Sequence, residues 1–172
     1  MILGMSLAAF TTLHVVLSLI GLGAGLVVAG GMIASRLLPG ITVLFLSSTL
    51  LANLTGLMFP SARLALGHQL GLVSVLVLLP TAAALCLHRL AGAWRWIYTT
   101  GALGVLWLNG VIAVFQAFAK LAVLRPVAQP EIIYATQLVL SLVFAGLAVL
   151  AVRRFRPCSA VSQAPPRPVA LS

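Results

Sequence analysis

Five long apolar runs constrain this chain more than any other feature of its sequence. None of them contains an Asp, Glu, Lys or Arg, and each is long enough to cross a bilayer as a helix. The runs cover residues 7–34, 38–59, 66–87, 96–119 and 132–152. A soluble domain could not hide so much apolar surface from water. We therefore predict an all-α fold, a polytopic bundle of five transmembrane helices that occupies residues 1–156.

The composition and the two ends of the chain agree with this class. Hydrophobic residues make up 62% of the 172 residues and charged residues 6%, against roughly 25% charged residues in soluble domains. The first run has no Lys or Arg before it and is longer than the apolar core of a signal peptide, so we expect it to be retained. Residues 157–172 are rich in Pro, Ser and Ala, and we expect a disordered cytoplasmic tail.

The positive charges predict how the bundle is oriented. With five spans the two ends of the chain lie on opposite sides of the membrane, and the Lys and Arg residues divide unequally between those sides. One side has seven, namely Arg36, Arg89, Arg95, Arg153, Arg154, Arg156 and Arg167. The other side has three, namely Arg63, Lys120 and Arg125. Because Lys and Arg accumulate in cytoplasmic loops, we expect a periplasmic N-terminus and a cytoplasmic C-terminus.

The net charge of +9 could suggest a nucleic-acid partner, but its distribution does not. The charges lie at the ends of the apolar runs, in groups of one to three, and no basic patch is interleaved with aromatic residues. This pattern is typical of topology signals and of contacts with lipid headgroups. We expect the lipid bilayer as a partner and no nucleic acid.

Polar side chains within the spans gather towards the periplasmic end. Counting about 1.5 Å of rise per residue puts His14 and Asn53 in the outer halves of the first two spans and His68 at the start of the third. Gln116 lies near the end of the fourth span and Gln137 near the start of the fifth. Because polar groups are costly in hydrocarbon, they turn towards the bundle interior. We predict a ligand-binding pocket that opens to the periplasm and is lined by these five residues.

Helical spacing adds a second constraint and leaves a second interpretation open. Asn109, Gln116 and Lys120 recur at i, i+7 and i+11, so they share one face of a helix. Gly21 and Gly25, four residues apart, favour close contact between helices. Polar stripes of this kind can also be purely structural, since hydrogen bonds between membrane helices contribute about 0.6 kcal/mol each. The sequence is compatible with a functional pocket and with structural hydrogen bonds alone.

Two histidines on different spans raise the question of a cofactor. His14 and His68 are the pair expected on the same side of the membrane, and such a pair could ligate a b-type haem or a metal ion. Their expected heights in the membrane differ, and a haem-binding helix bundle usually offers more histidines. We therefore expect no cofactor and no metal site, with haem b held by this pair as the alternative.

The scarcity of acidic residues argues against catalysis. The chain has no Asp, and Glu131 is its single Glu. Paired-carboxylate chemistry and a Ser/His/Asp triad are therefore excluded. We expect Glu131 to pair with Lys120, Arg125 or Arg63 in a surface ion network. The sequence predicts a protein that is not an enzyme.

A set of short segments, spread over nearly the whole chain, carries a resemblance. The most specific segment is Trp94-Arg-Trp-Ile-Tyr98, within Arg89–Tyr98. The other segments are Leu13–Gly21, Thr55–Pro60, His68, Leu108-Asn109, Gln116–Lys120 and Gln137. Together they resemble a group of small bacterial inner-membrane proteins that has no assigned activity. These proteins have a Thr-Gln-Ser-Glu-like run where this chain has Val127-Ala-Gln-Pro-Glu131. The resemblance implies a location in the bacterial inner membrane.

These observations favour one function and leave two alternatives. The favoured function is that of an integral inner-membrane protein of structural or accessory type, with the polar pocket at its periplasmic end. Its partners would be the bilayer and either a membrane partner subunit or a second copy of the chain. The alternatives are a protein that binds a small ligand or haem b, and a small transporter or channel component. The lack of a second acid and of an inverted repeat in hydropathy weakens the transporter alternative.

Overall fold

A computed structural model of the protein describes residues 4–60 and 66–156. Within these residues the chain folds into five long α-helices that follow one another along the sequence. They are α1 (Leu7–Ile33), α2 (Pro39–Leu57), α3 (Leu66–Cys86), α4 (Trp94–Lys120) and α5 (Pro130–Arg154). All five are long and apolar enough to cross a membrane, so the predicted five-span helical fold is confirmed. The tail predicted at residues 157–172 lies outside the described residues.

The turn between α1 and α2 shows how local chemistry ends one span and begins the next. Ser35 adopts a left-handed backbone conformation with φ of 56°. The N–H groups of Ser35 and Arg36 donate to the carbonyls of Met32 and Gly31 at 3.0 and 2.8 Å, which is the Schellman arrangement that closes a helix. Pro39 then opens α2, where its missing N–H removes no helical hydrogen bond. The chain therefore reverses direction within a few residues.

We call the two ends of the bundle the N-side and the C-side. The N-side holds the start of α1 and the connections from α2 to α3 and from α4 to α5. The C-side holds the turns from α1 to α2 and from α3 to α4, together with the end of α5. Each helix packs on the next along the chain, most extensively α1 on α2, and α1 also contacts α4 and α5. The helix α1 therefore packs on α2, α4 and α5, and α4 packs on α1, α3 and α5.

The apolar core fills the C-side half of the bundle. Its fully buried members include Met32, Phe45, Tyr98, Leu106 and Phe155, contributed by four of the five spans or their ends. These large side chains leave little free space between α1, α2 and α4 at this depth. Between α1, α2 and α4, the C-side half is therefore closely packed.

The glycines of α1 allow the close approach that the sequence predicts. A Cβ atom added at Gly21 would lie 2.9 Å from Thr49 Oγ1 on α2. One added at Gly25 would lie 2.5 Å from Leu106 Cδ1 and 2.8 Å from Phe45 Cε2. Side chains larger than hydrogen therefore do not fit at these two positions. The predicted contact role of the Gly21–Gly25 pair is confirmed.

Polar contacts hold the end of α5 against its neighbours on the C-side. Arg95 at the start of α4 donates from Nη1 to the carbonyl oxygen of Phe155, at 2.9 Å. The N–H of Arg156 donates to Ser35 Oγ in the turn between α1 and α2, also at 2.9 Å. Both bonds use backbone groups at a helix end, which lack partners within the helix. The C-terminal end of α5 is therefore joined to both α4 and α1.

Candidate ligand-binding site

A cavity of about 320 Å³ lies in the N-side half of the bundle between α1, α2 and α4. Its volume is near the lower end of the range for small-molecule sites, about 300–1,000 Å³. Most of the wall consists of Val, Leu, Ile and Ala side chains. Six polar residues interrupt this apolar wall, namely His14, Ser18, Asn53, Asn109, Gln116 and Lys120. The lining is therefore amphipathic.

The cavity extends from the middle of the bundle to its N-side end. Leu22 and Asn109 line its deep end, and Lys120 and Leu121 line its shallow end. Asn109 and Lys120 are eleven positions apart, which corresponds to about 16 Å along the axis of α4. Beyond the deep end, Leu106 and the other core residues close the bundle. The cavity is therefore a pocket with one closed end.

His14 is held in the cavity wall by contacts of its ring with residues at the end of α2. Its Nδ1 lies 3.0 Å from Thr55 Oγ1 on α2. The ring meets that of Phe59 edge-on, with centroids 5.3 Å apart. A Cβ atom at Gly56 would lie 3.2 Å from His14 Cε1, so the glycine leaves room for the imidazole. The C-terminal end of α2 therefore holds the His14 side chain in place.

The partners of Thr55 define the protonation of the neutral His14 ring. The Thr55 hydroxyl donates to the carbonyls of Leu51 and Ala52, at 2.8 and 3.0 Å. A hydroxyl has a single proton. With that proton on a carbonyl of α2, Thr55 Oγ1 accepts from His14 Nδ1–H, and Nε2 is the acceptor nitrogen of the neutral ring. A ligand with a donor group could use it.

The two asparagines of the cavity wall also join helices. Asn53 is buried, and its Nδ2 donates to Ser74 Oγ on α3 at 2.8 Å. Asn109 donates from Nδ2 to Thr49 Oγ1 on α2 at 3.3 Å. Both bonds use the amide NH₂ group, and among residues 4–60 and 66–156 neither side-chain carbonyl oxygen has a partner. Each asparagine therefore binds a neighbouring helix with one polar atom and keeps the other available.

Gln116 and Lys120 are the exposed polar residues of the cavity, one turn of α4 apart. Neither makes a hydrogen bond or an ion pair with the described residues. The sequence predicted Lys120 or Arg125 as partners of Glu131, but Glu131 has no ion pair with either of them in the described structure. Arg63, the third predicted partner, lies outside that part. The Lys120 ammonium group is therefore an uncompensated positive charge at the shallow end of the cavity.

The structure places the other two predicted site residues elsewhere. His68 lies at the start of α3, with its Nε2 3.1 Å from the carbonyl oxygen of Phe59. Gln137 of α5 donates from Nε2 to the carbonyl oxygen of Val111 at 2.9 Å, and its buried Oε1 has no partner among the described residues. Neither residue lines the cavity. His14, Asn53 and Gln116 come together as predicted, whereas His68 and Gln137 do not join them.

The rotational position of each residue explains this difference. Gln137 contacts α4 at Val111, and Val111 is two residues from Asn109, about 200° around the helix. The face of α4 that receives α5 is therefore nearly opposite the face that lines the cavity. His68 is near His14 in space, because both contact Phe59, but its ring nitrogen is used by the chain at the end of α2. The sequence predicted the depth of both residues and could not predict which face they occupy.

Sequence reasoning left three polar residues of the cavity out of the predicted site. Ser18, Asn109 and Lys120 all line it. Their signal was present, because Asn109 and Lys120 share the stripe of Gln116 and Ser18 follows His14 by four residues. A site predicted from shared helix faces, rather than from depth alone, would have included them.

The histidine pair does not fit a b-type haem. Axial ligation by two histidines requires both rings on one porphyrin, whereas only His14 lines the cavity and His68 bonds to a backbone carbonyl. In the described residues, no three His, Cys, Asp or Glu side chains lie close enough to hold a metal ion. We therefore derive no chemistry from a haem or a metal.

A second, shallower cavity of about 270 Å³ lies between α4 and α5. Its lining is apolar or weakly polar, with Trp107, Ser141 and Phe144 among its members. The Trp107 indole N–H donates to Ser141 Oγ at 3.2 Å. No charged side chain lines this cavity among the described residues, so it has little with which to select a polar ligand.

The fold defines an integral, multi-pass membrane protein, and the site is an amphipathic pocket within it. No protein-family model matches the chain, and no curated protein and no solved structure matches it either. A functional assignment therefore rests on the geometry of the pocket.

Proposed function

We propose that this protein is a non-catalytic, accessory membrane protein that binds a small amphipathic molecule in the cavity between α1, α2 and α4. One observation carries the proposal. Side chains from three helices bring hydrogen-bonding atoms that the protein does not use itself to one largely apolar cavity. Convergent polar groups in an apolar pocket are the usual mark of a small-molecule site.

The available groups favour binding over catalysis. No carboxylate lines the cavity among the described residues, and the single Glu131 is exposed at the start of α5. Ser18 donates its hydroxyl to the backbone carbonyl of His14 at 2.8 Å, so this serine is not activated by the imidazole. Nucleophilic catalysis needs a base within hydrogen-bond reach of the nucleophile, and the wall offers no such pair to its one hydroxyl.

The closed deep end favours binding over transport. A transporter or channel needs a path that continues across the bilayer, or two states that open in turn. Here the core residues Phe45, Leu106 and Met32 fill the bundle beyond the cavity. A protein that holds a ligand for a membrane partner subunit, or for a second copy of itself, agrees better with a pocket that is closed at its deep end.

The location and orientation in the membrane form part of the proposal. We propose the bacterial inner membrane, with the N-side and its cavity facing the periplasm. The support is the distribution of charge, since the described Arg residues of the C-side outnumber the positive residues of the N-side. A reporter that is active only in the periplasm, fused after Ser172, should be inactive, and an active fusion would contradict this orientation.

A cavity-filling substitution tests whether the site holds a ligand. Ala113 lies in the cavity wall, and Ala119 is exposed on the same helix outside it. We expect Ala113→Phe to occupy the space and to remove a small molecule that co-purifies with the protein extracted directly into lipid nanodiscs. Ala119→Phe adds the same side chain to the outer surface of α4 and is the matched control.

The measurement is mass spectrometry of the small molecules released from each preparation, normalised to protein. The proposal predicts a compound that is present with the original chain and with Ala119→Phe and is depleted at least severalfold with Ala113→Phe. Equal amounts in all three preparations would overturn it. A thermal unfolding scan of each preparation separates loss of the ligand from loss of the fold.

A further inference from the structure

The cavity opens sideways as well as towards the membrane surface. Val15 and Leu19 of α1 form one edge of it and are 39% and 60% exposed. Leu121 of α4, also part of its lining, is 54% exposed. At this depth in a membrane, exposed apolar side chains contact lipid. The opening therefore faces the hydrocarbon of the N-side leaflet.

The packing of α5 explains why this side is open. In the N-side half α5 packs on α4, where Leu140 approaches Gly110 and Gln137 binds the Val111 carbonyl. No residue of α5 lines the cavity in the described structure. The hydrogen bond between α5 and the turn after α1 lies at the opposite end, on the C-side. The helix α5 also packs on α1, but its described residues add nothing to the cavity wall, and the edge of α1 at Val15 and Leu19 remains exposed beside the cavity.

The charge on the cavity wall favours a ligand with a negative charge. Lys120 lines the cavity at its shallow end and has no ion pair with the described residues. Gln116, one turn deeper on α4, adds two amide donors. No Asp or Glu belongs to the wall described above. A headgroup with a negative charge and hydrogen-bond acceptors fits this end.

The shape of the cavity selects the rest of the molecule. The cavity is about 16 Å long, and Leu19, Leu22 and Ile112 give it an apolar surface between the Lys120 end and the deep end, which Asn109 shares. A volume of about 320 Å³ over this length suits one extended chain better than the two chains of a phospholipid. The apolar part of the ligand is therefore elongated and thin.

Resting on the cavity of the proposed function, we infer that the ligand is an amphiphile with one acyl chain and an anionic headgroup. It enters from the adjoining leaflet past the exposed edge of α1 at Val15 and Leu19. Its headgroup lies against Lys120 and Gln116, and its chain lies along the apolar side chains towards Leu22. Free fatty acids and anionic lysophospholipids share this chemistry.

Photolabelling in a defined membrane tests the inference. The full-length protein is placed in phosphatidylcholine nanodiscs with a diazirine-bearing lysophosphatidylglycerol, or with a lysophosphatidylcholine that has the same chain. Mass spectrometry then identifies the labelled residues. We expect the anionic probe to label α1 near Val15–Leu22 and α4 near Ile112–Leu121 about three- to tenfold more than the zwitterionic probe. Competition with palmitate or with unlabelled lysophosphatidylglycerol shows which headgroup is preferred.

Three variants separate the possible outcomes. Lys120→Gln should remove the preference for the anionic probe, whereas Arg125→Gln, a second positive residue of the N-side outside the cavity, should retain it. Ala113→Phe should reduce labelling of these segments by both probes.

One outcome would overturn the anionic headgroup and leave the proposed function standing. In this outcome Ala113→Phe reduces the labelling, but the two headgroups label equally or Lys120→Gln has no effect. Labelling of these segments that Ala113→Phe does not change, or no labelling there at all, would overturn the inference of a single-chain ligand. The ligand extraction with Ala113→Phe and Ala119→Phe would then decide the proposed function separately.

Discussion

Several polar residues of the cavity wall make a structural hydrogen bond with one atom and face the cavity as well. Asn53 and Asn109 donate from their NH₂ groups to α3 and α2 and leave their carbonyl oxygens without a partner in the described structure. His14 contacts Thr55 through Nδ1 while its ring lines the cavity. Structural hydrogen bonds and a polar pocket, which the sequence presents as alternatives, are therefore compatible in the same residues.

The bond between Asn53 and Ser74 gives a prediction about stability. Both side chains are buried and the bond joins α2 to α3 at 2.8 Å. We expect Asn53→Ala and Ser74→Ala each to destabilise the protein, with a coupling energy of about 0.6 kcal/mol and at most about 1.7 kcal/mol, as for other membrane helix pairs. The measurement is a double-mutant cycle of unfolding in mixed micelles. Additive effects, with a coupling near zero, would show that this bond does not contribute to helix association.

At the scale of helices, small residues set the distance between α1 and its neighbours. Gly25 lies against Leu106 of α4 and Phe45 of α2, whereas a Cβ atom at Gly23 would meet nothing within 4 Å. The two glycines belong to the same helix and have the same intrinsic helix propensity. They differ in what surrounds them, so they form a matched pair for an experiment.

We expect Gly25→Ala to destabilise the bundle by about 1–3 kcal/mol, because the added methyl group overlaps buried side chains. Gly23→Ala should leave stability unchanged or raise it slightly, since alanine is the better helix former. Thermal unfolding in the same detergent measures both variants. Equal effects of the two substitutions would contradict the packing of α1 against α2 and α4.

The positions of the helices along the chain could be predicted from the sequence far better than the contacts between helices. Hydropathy and length are properties of a single segment, and the observed boundaries of α3 and α4 lie within two residues of the prediction. Which face of α4 receives α5 depends on tertiary packing, so the position of Gln137 could not be inferred. The hydrogen bond from Arg95 to the Phe155 carbonyl joins residues far apart in the sequence, and no local sequence pattern predicts it.

The whole molecule combines a closely packed half with an open half. On the C-side, the apolar core and the contacts of Arg95 and Arg156 join α5 to α4 and α1. On the N-side, no described residue of α5 lines the cavity, and the side chains of α5 include the largely exposed Leu138 and Leu142, at 61% and 64%. A ligand can therefore reach the cavity without disturbing the core that holds the five helices together.

The most direct test of a ligand-binding cavity is a high-resolution structure of the full-length protein determined in a lipid environment. We predict elongated non-protein density between α1 and α4, with its polar end within hydrogen-bonding distance of Lys120 or Gln116. His14 should still bind Thr55 through Nδ1. A structure in which α1 packs directly on α4 at Ala113 and Ala117, with no cavity and no density, would contradict the proposal.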